Sequence, residues 1–125
     1  MALAIFDLDN TLLAGDSDHR WGEFLVEKGL VDAAIFSRSN DRFYADYQAG
    51  SLDMTAYLQF VLAPLTGKTT VSVRALQRQF MADCIEPMLL DKAFALIDHH
   101  RVAGDQLLLM TATHSVVAEP VSARL

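Results

Sequence analysis

A short apolar run at the start of the chain, followed directly by two aspartates, constrains the fold most. Residues 3–6 read Leu-Ala-Ile-Phe and are bounded by polar residues, which predicts a short buried β-strand. In open α/β sheets, functional groups lie beyond the carboxyl ends of such strands. We therefore expect Asp7 and Asp9 at a strand tip, where the chain turns and both side chains can face one pocket.

Two carboxylates held close together need a shared proton or a cation between them. A hard divalent ion such as Mg²⁺ binds carboxylate oxygens. Enzymes that act on phosphate esters use both a shared proton and a bound cation. The competing interpretation is that Asp9-Asn10-Thr11 provides only turn and helix-cap hydrogen bonds, without catalysis. The position directly after an apolar strand favours the catalytic interpretation.

A second apolar run of the same kind lies near the other end of the chain. Residues 107–110 read Leu-Leu-Leu-Met, follow the turn Gly104-Asp105 and precede Thr111. They predict a second buried strand that carries a hydroxyl at its tip. Taken alone, this pattern is also typical of an ordinary strand closed by a helix cap.

Helical periodicity fills the chain between the two strands. Four helices are predicted within residues 17–85, a fifth begins near Pro87 and ends before Gly104, and a sixth follows Thr111. This order predicts an α/β fold with a core formed by residues 1–16 and 86–125. Residues 17–85 would form a helical insert.

The two strand tips resemble motifs of a known family. Residues 6–11, Phe-Asp-Leu-Asp-Asn-Thr, resemble motif I (DxDxT) of the haloacid dehalogenase superfamily, and Thr111 resembles its motif II. Residues 12–18 and 111–115 are similar to the phosphoserine-phosphatase-like branch, subfamily IB. The resemblance implies a Rossmann-like parallel-sheet core, incomplete in this chain, with an inserted all-helical cap.

The resemblance also implies a role for each motif residue. Asp7 would attack phosphorus, form an aspartyl-phosphate and bind Mg²⁺. Asp9 would protonate the leaving alkoxide, later activate water, and give its backbone carbonyl to the metal. Thr11 would hold the loop, while the Thr111 hydroxyl and the N–H groups of Ala112 and the next residue would bind phosphoryl oxygens.

The resemblance makes phosphoserine the first candidate substrate. Asp16 lies nine positions after Asp7, where related enzymes carry an acidic residue that holds the substrate ammonium, although that residue is usually Glu. None of Arg38, Arg42 and Arg74 lies in a motif that would grip a substrate carboxylate. Other phosphorylated amines, alcohols and histidinol phosphate therefore stay open, and Asp16 has a simple helix cap as its alternative role.

Two further residues have alternative roles in the sequence. His114 lies three residues after Thr111, and contact with substrate and an ordinary surface position are both open. Cys84 is the only cysteine, which rules out an internal disulfide and suits a reducing compartment. We expect Cys84 to be a buried structural residue.

Composition restricts the partners. The net charge of −6 argues against a surface for nucleic acid or anionic membranes, which would be basic. No run approaches the ~20 apolar residues of a membrane span. We expect a cytoplasmic protein whose partner is a small phosphorylated metabolite.

These observations predict a Mg²⁺-dependent phosphomonoester hydrolase that acts through an aspartyl-phosphate. The basic residue of motif III and the acidic residues of motif IV normally follow motif II by tens of residues, and the chain has no room for them. We therefore expect an incomplete fragment with little or no activity of its own. The alternatives are a phosphotransferase or mutase that uses the same intermediate, and an inactive truncated module that binds a partner through its helical insert.

Overall fold

The computed structural model describes all residues from 1 to 125 and contains a two-stranded parallel sheet. Strand β1 (Leu3–Asp7) pairs with β2 (Gln106–Met110), in a register from Leu3 opposite Gln106 to Asp7 opposite Met110. The parallel pair with intervening helices confirms the α/β fold class. The helices are α1 (Ser17–Glu27), α2 (Ala33–Gln48), α3 (Met54–Leu62), α4 (Thr70–Phe80), α5 (Asp91–Val102) and α6 (Ser115–Arg124). None of them is both long and apolar enough to cross a bilayer.

The chain divides into two compact units. The first contains Met1–Ser17 together with Gln77–Leu125, and the second is the continuous segment Asp18–Leu76. Residues 77–85 therefore lie in the same unit as the strands, whereas the sequence prediction assigned them to the cap. The assignment of these units to a catalytic core and a cap stays a prediction.

The sheet buries only one of its faces. Phe6 is 8% exposed, whereas Leu3 and Ile5 are each 55% exposed, because alternate strand residues point to opposite faces. On β2, Leu108 and Met110 are also exposed. The predicted burial of the two apolar runs therefore applies to one face of the sheet, and the other face is exposed, as expected for a sheet of only two strands.

A tight turn follows β1 and reverses the chain. The carbonyl of Leu8 accepts the N–H groups of residues 11, 12 and 13 at 3.0–3.2 Å. Asn10 has a φ of +57°, a left-handed conformation that asparagine tolerates better than most residues. Leu13 then pairs with Leu89 in an antiparallel bridge, which fixes the end of the turn within the first unit.

The segment between α4 and α5 differs from its prediction. After α4 the chain forms a π-helical turn (Met81–Ile85) and a 3₁₀ turn (Glu86–Met88), and α5 begins only at Asp91. A helix starting near Pro87 is therefore wrong, because Leu89 is extended and pairs with the loop after β1. Cys84 is 2% exposed, which agrees with its predicted structural role.

The second unit is built from helices that pack through small and aromatic side chains. Asn40 of α2 is buried, and its Nδ2 donates to the carbonyl of His19 in α1 at 3.1 Å. A Cβ added to Gly22 would lie 2.3 Å from Oδ1 of Asn40. The Asn40 amide of α2 therefore packs against α1 at a position where only glycine leaves room for it. Aromatic rings from α2 and α3 pack on one another, with 4.4 Å between the centroids of Phe36 and Phe60.

Candidate active site

The register of the sheet brings the two strand tips to one edge. Asp7 is the last residue of β1 and lies opposite Met110, so Thr111 follows β2 at the same edge. Asp7 is exposed, and its Oδ2 accepts a 3.2 Å hydrogen bond from the hydroxyl of Thr11. This contact is the one expected if Thr11 holds the loop around Asp7.

The carboxylate of Asp9 is bound by two buried residues. Its Oδ1 accepts from the backbone N–H of Ser17 at 2.7 Å and from the Ser17 hydroxyl at 2.6 Å. Its Oδ2 accepts from the hydroxyl of Thr113 at 2.6 Å. Ser17 is fully buried and Thr113 is 9% exposed. Residues from the β1 tip, the start of α1 and the β2 tip therefore meet at one carboxylate.

The loop after β2 has a different shape from the one predicted. Thr113 donates its N–H to Oγ1 of Thr111 at 3.1 Å, and His114 is an extended N-cap before α6 begins at Ser115. The helix predicted after Thr111 therefore begins at Ser115, and Ala112 and Thr113 precede it. Thr111 is half-buried and Ala112 is exposed, so both still lie at the strand tip, but the N–H of Thr113 is used within the loop.

Two other residues of interest lie in the first unit. Asp16 is half-buried and directly precedes α1, one residue before the Ser17 that holds Asp9. His114 is 8% exposed, so the surface alternative for this residue is wrong. Burial lowers the pKa of His114 to about 4, because a buried imidazolium loses its hydration. At neutral pH His114 therefore brings no positive charge to a phosphate.

Comparison with known proteins matches these elements to a family. A family model for haloacid dehalogenase-like hydrolases matches residues 4–125. The chain belongs to the haloacid dehalogenase-like hydrolase family. The match includes both strands and all six helices, and it confirms the family resemblance carried by the two strand tips.

The individual relatives are longer than this chain. It is 45% identical over 119 residues to a histidinol-phosphatase of Neisseria meningitidis serogroup C, covering 95% of the chain and 54% of that protein. It is 29% identical to phosphoserine phosphatase SerB1 of Mycobacterium tuberculosis, covering 99% and 41%. The chain thus spans about half the length of these curated relatives.

A solved structure shows the same arrangement of elements. The crystal structure of a protein with unknown function from Bordetella pertussis Tohama I superposes with a TM-score of 0.86 at 38% identity. The superposition covers 98% of this chain and 56% of that one. The fold of this chain is therefore shared with slightly more than half of a longer protein.

The oxygen donors at the strand tip are of the type that Mg²⁺ binds, but they are few. No group of three or more His, Cys, Asp or Glu side chains is placed to hold a metal ion. Both carboxylate oxygens of Asp9 already accept hydrogen bonds, so this residue has its backbone carbonyl to offer. The Asp7 carboxylate and that carbonyl are hard oxygen donors of the type that Mg²⁺ prefers, with water for the remaining positions.

Two residues of this site were not predicted as site residues from sequence. Ser17 had no site role in the sequence prediction, and Thr113 was included only through its backbone N–H. The one available signal was a hydroxyl residue in the segment after each strand, Ser17 after β1 and Thr113 after β2. Nothing in a linear pattern shows that two hydroxyls 96 residues apart share one acceptor.

Proposed function

We propose that this chain carries the nucleophile and the acid-base residue of a phosphomonoester hydrolase of the phosphoserine-phosphatase-like branch, subfamily IB. The observation that carries the proposal is the Asp9–Thr113 hydrogen bond of 2.6 Å. It joins the loop after β1, which contains Asp9 two residues beyond Asp7, to the loop after β2, which contains Thr111. A nucleophile, an acid and a phosphate-binding hydroxyl thus belong to one sheet edge.

Each residue has a defined part in the proposed reaction. An oxygen of Asp7 attacks phosphorus and forms an aspartyl-phosphate, while the bond between phosphorus and the ester oxygen breaks. Asp9 gives its proton to the leaving oxygen and so releases an alcohol. Asp9 then removes a proton from water, which attacks the phosphoryl group and releases inorganic phosphate and the Asp7 carboxylate.

The surrounding contacts prepare these steps. The Thr11 hydroxyl orients the Asp7 carboxylate, and the Thr111 hydroxyl and the Ala112 N–H would donate hydrogen bonds to the phosphoryl oxygens at the neighbouring strand tip. Mg²⁺ held by the Asp7 carboxylate and the Asp9 carbonyl would reduce the charge repulsion between the nucleophile and the phosphate dianion. We propose that the reaction takes place in the cytoplasm.

The proposed substrate class is a phosphate ester of a small 2-amino alcohol. Histidinol-phosphatase and phosphoserine phosphatase are the names of two relatives, and histidinol phosphate and phosphoserine share an ammonium group two carbons from the ester oxygen. The half-buried carboxylate of Asp16 is the group that would bind this ammonium. The two substrates differ in the remaining substituent on the carbon that carries the ammonium group. This substituent is an imidazolylmethyl group in histidinol phosphate and a carboxylate in phosphoserine.

The test compares amino and deaminated esters. Full-length product of the gene, with Mg²⁺, is assayed on histidinol phosphate, on phosphoserine and on the deaminated analogue of each. We expect Asp16→Asn to raise KM for the amino esters about tenfold or more and to leave the deaminated esters unchanged, since one charged hydrogen bond is lost. An equal rise in KM for the amino and the deaminated esters would remove Asp16 from the substrate site. Transfer of the phosphoryl group to added alcohols would indicate a phosphotransferase.

The 125-residue chain assayed by itself provides a second arm of the test. The motif residues that would neutralise phosphoryl charge and complete the Mg²⁺ shell are absent from it, so transition-state charge would be poorly stabilised. We therefore expect little or no turnover by this chain, and recovery when the unmatched part of the Neisseria protein is supplied as a second polypeptide. Full Mg²⁺-dependent turnover by the purified 125-residue chain would contradict this expectation.

A further inference from the structure

We propose that Ser17 and Thr113 are positioning residues that give the two oxygens of Asp9 different tasks. In this proposal Oδ1 is the anchored oxygen, and Oδ2 is the oxygen that carries the proton to the leaving group. The inference rests on the proposed function, because it deepens the acid-base role of Asp9. It follows from the number and the kind of donors on each oxygen.

Ser17 anchors Oδ1 with two donors from a single residue. The backbone N–H lies 2.7 Å from Oδ1 and the hydroxyl lies 2.6 Å from it. Ser17 is the first residue of α1 and is fully buried, so neither donor can exchange its partner for bulk water. Rotation of the carboxylate would break both bonds at once, and Oδ1 is therefore the oxygen that stays in place.

Thr113 donates a single hydrogen bond to Oδ2, and its hydroxyl has an alternative acceptor. Its hydroxyl donates to Oδ2 at 2.6 Å and lies 3.2 Å from Oγ of Ser17. A buried hydroxyl without an acceptor is costly, but Thr113 can turn its hydrogen from Oδ2 to the Ser17 oxygen. Oδ2 can thus leave its hydrogen bond and take up a proton, and no buried polar group loses its partner.

The same geometry favours the transition state over the ground state. When Oδ2–H passes its proton to the leaving oxygen, Oδ2 becomes negative and can accept the Thr113 hydrogen again. That hydrogen bond strengthens as charge develops on Asp9, which is the kind of interaction that accelerates a reaction. Ser17 therefore fixes the orientation of the Asp9 carboxylate, and Thr113 stabilises the negative charge that develops on Oδ2.

Leaving-group dependence provides the test, because only a poor leaving group needs the proton. The full-length gene product is assayed on an alkyl ester, histidinol phosphate or phosphoserine, and on 4-nitrophenyl phosphate, whose phenolate leaves without protonation. We expect Thr113→Val and Ser17→Ala to lower kcat/KM for the alkyl ester about tenfold, a part of the roughly 10²–10⁴-fold effect of acid-base catalysis. The loss on 4-nitrophenyl phosphate should stay below about threefold.

Three controls keep the result specific. Thr113→Ser retains the hydroxyl and should restore the ratio of alkyl to aryl activity, whereas Thr55→Val removes an exposed hydroxyl elsewhere and should leave the ratio unchanged. In an Asp9→Asn background, Thr113→Val should have no further effect on the ratio. If Thr113→Val does not fold, as judged by thermal melting, Ser17→Ala decides, since it keeps the backbone N–H on Oδ1.

The outcomes separate this inference from the function on which it rests. Equal losses on both esters, or no loss on either, would overturn the positioning role while the hydrolase assignment stands. A wild-type protein that hydrolyses neither ester would overturn the proposed function, and the positioning role with it. A loss confined to the alkyl ester and reversed in Thr113→Ser would support both.

Discussion

The Thr113 hydroxyl donates a 2.6 Å hydrogen bond to Asp9 across 104 residues of sequence. Asp9 follows β1 and Thr113 follows β2, so this bond joins the two loops at one edge of the parallel sheet. The buried Ser17 completes the arrangement by holding the other oxygen of the same carboxylate. The proposed hydrolase function depends on these two loops acting together.

Loss of the Asp9 carboxylate should slow the reaction without removing the nucleophile. Asp9→Asn keeps the size of the side chain but cannot donate or accept the catalytic proton. We expect kcat of the full-length product on an alkyl phosphate to fall roughly 10²–10⁴-fold, as measured by release of inorganic phosphate under steady-state conditions. A rate equal to that of the wild type would remove Asp9 from the mechanism.

The contact between α1 and α2 should be sensitive to a single methyl group. In Gly22→Ala the new Cβ would lie 2.3 Å from Oδ1 of Asn40, so the buried amide must move and its bond to the His19 carbonyl is lost. Overpacking costs about 1–3 kcal/mol, and alanine returns up to about 1 kcal/mol of helix propensity. We expect a net loss of about 1–2 kcal/mol in the free energy of unfolding, measured by urea titration.

The double variant isolates this steric effect. When Asn40→Ala removes the amide, Gly22→Ala has no clash left and should stabilise the chain by about 0.5–1 kcal/mol through helix propensity. The sign of the Gly22→Ala effect should therefore reverse between the two backgrounds. If the substitution is equally destabilising in both, the packing of α1 on α2 differs from the one described.

Buried His114 should make the chain less stable in mild acid. Its folded-state pKa is about 4, whereas the unfolded chain binds a proton near pH 6.5. Between these values the unfolded state holds more protons, so stability falls as the pH falls from about 6.5 towards 4, by about 3 kcal/mol in total. Urea midpoints of the wild type should fall across this window, and those of His114→Gln should fall less. Parallel curves would show that His114 is not the group responsible.

Asp105 should act in a lower pH window. Hydrogen bonds from His100 and from the N–H of Ala2 lower the pKa of its carboxyl below the usual 3.8. Its contribution to stability is complete above pH 3.8 and is lost as the pH falls through the folded-state pKa. Asp105→Ala should be less stable than the wild type at pH 5, and the difference should shrink below pH 3.8. A difference that stays constant down to pH 2.5 would rule out this linkage.

Local patterns were sufficient for the elements that depend on local sequence. The apolar runs at residues 3–6 and 107–110 predicted both strands, and the order of elements predicted the α/β class. The start of α5 was missed because Pro87 is a good first-turn residue. In the structure the segment around Leu89 instead pairs with Leu13, a contact between residues that are distant in sequence.

In the candidate site, too, only the residues with a local sequence signal could be predicted. Asp7, Asp9 and Thr111 could be identified because each lies at the end of a strand or within two residues of it, which is a local signal. The partners of Asp9 could not, because Ser17 and Thr113 act through side chains that only the parallel pairing of β1 and β2 brings together.

Trapping the covalent intermediate tests the central claim most directly. The full-length product is mixed with its phosphate ester and Mg²⁺, quenched in acid and reduced with borohydride, which converts an aspartyl-phosphate to homoserine. Peptide mass spectrometry should then find homoserine at position 7 in the wild type, with no modification and no turnover in Asp7→Asn. Turnover that proceeds without modification of Asp7, or that persists in Asp7→Asn, would contradict the account.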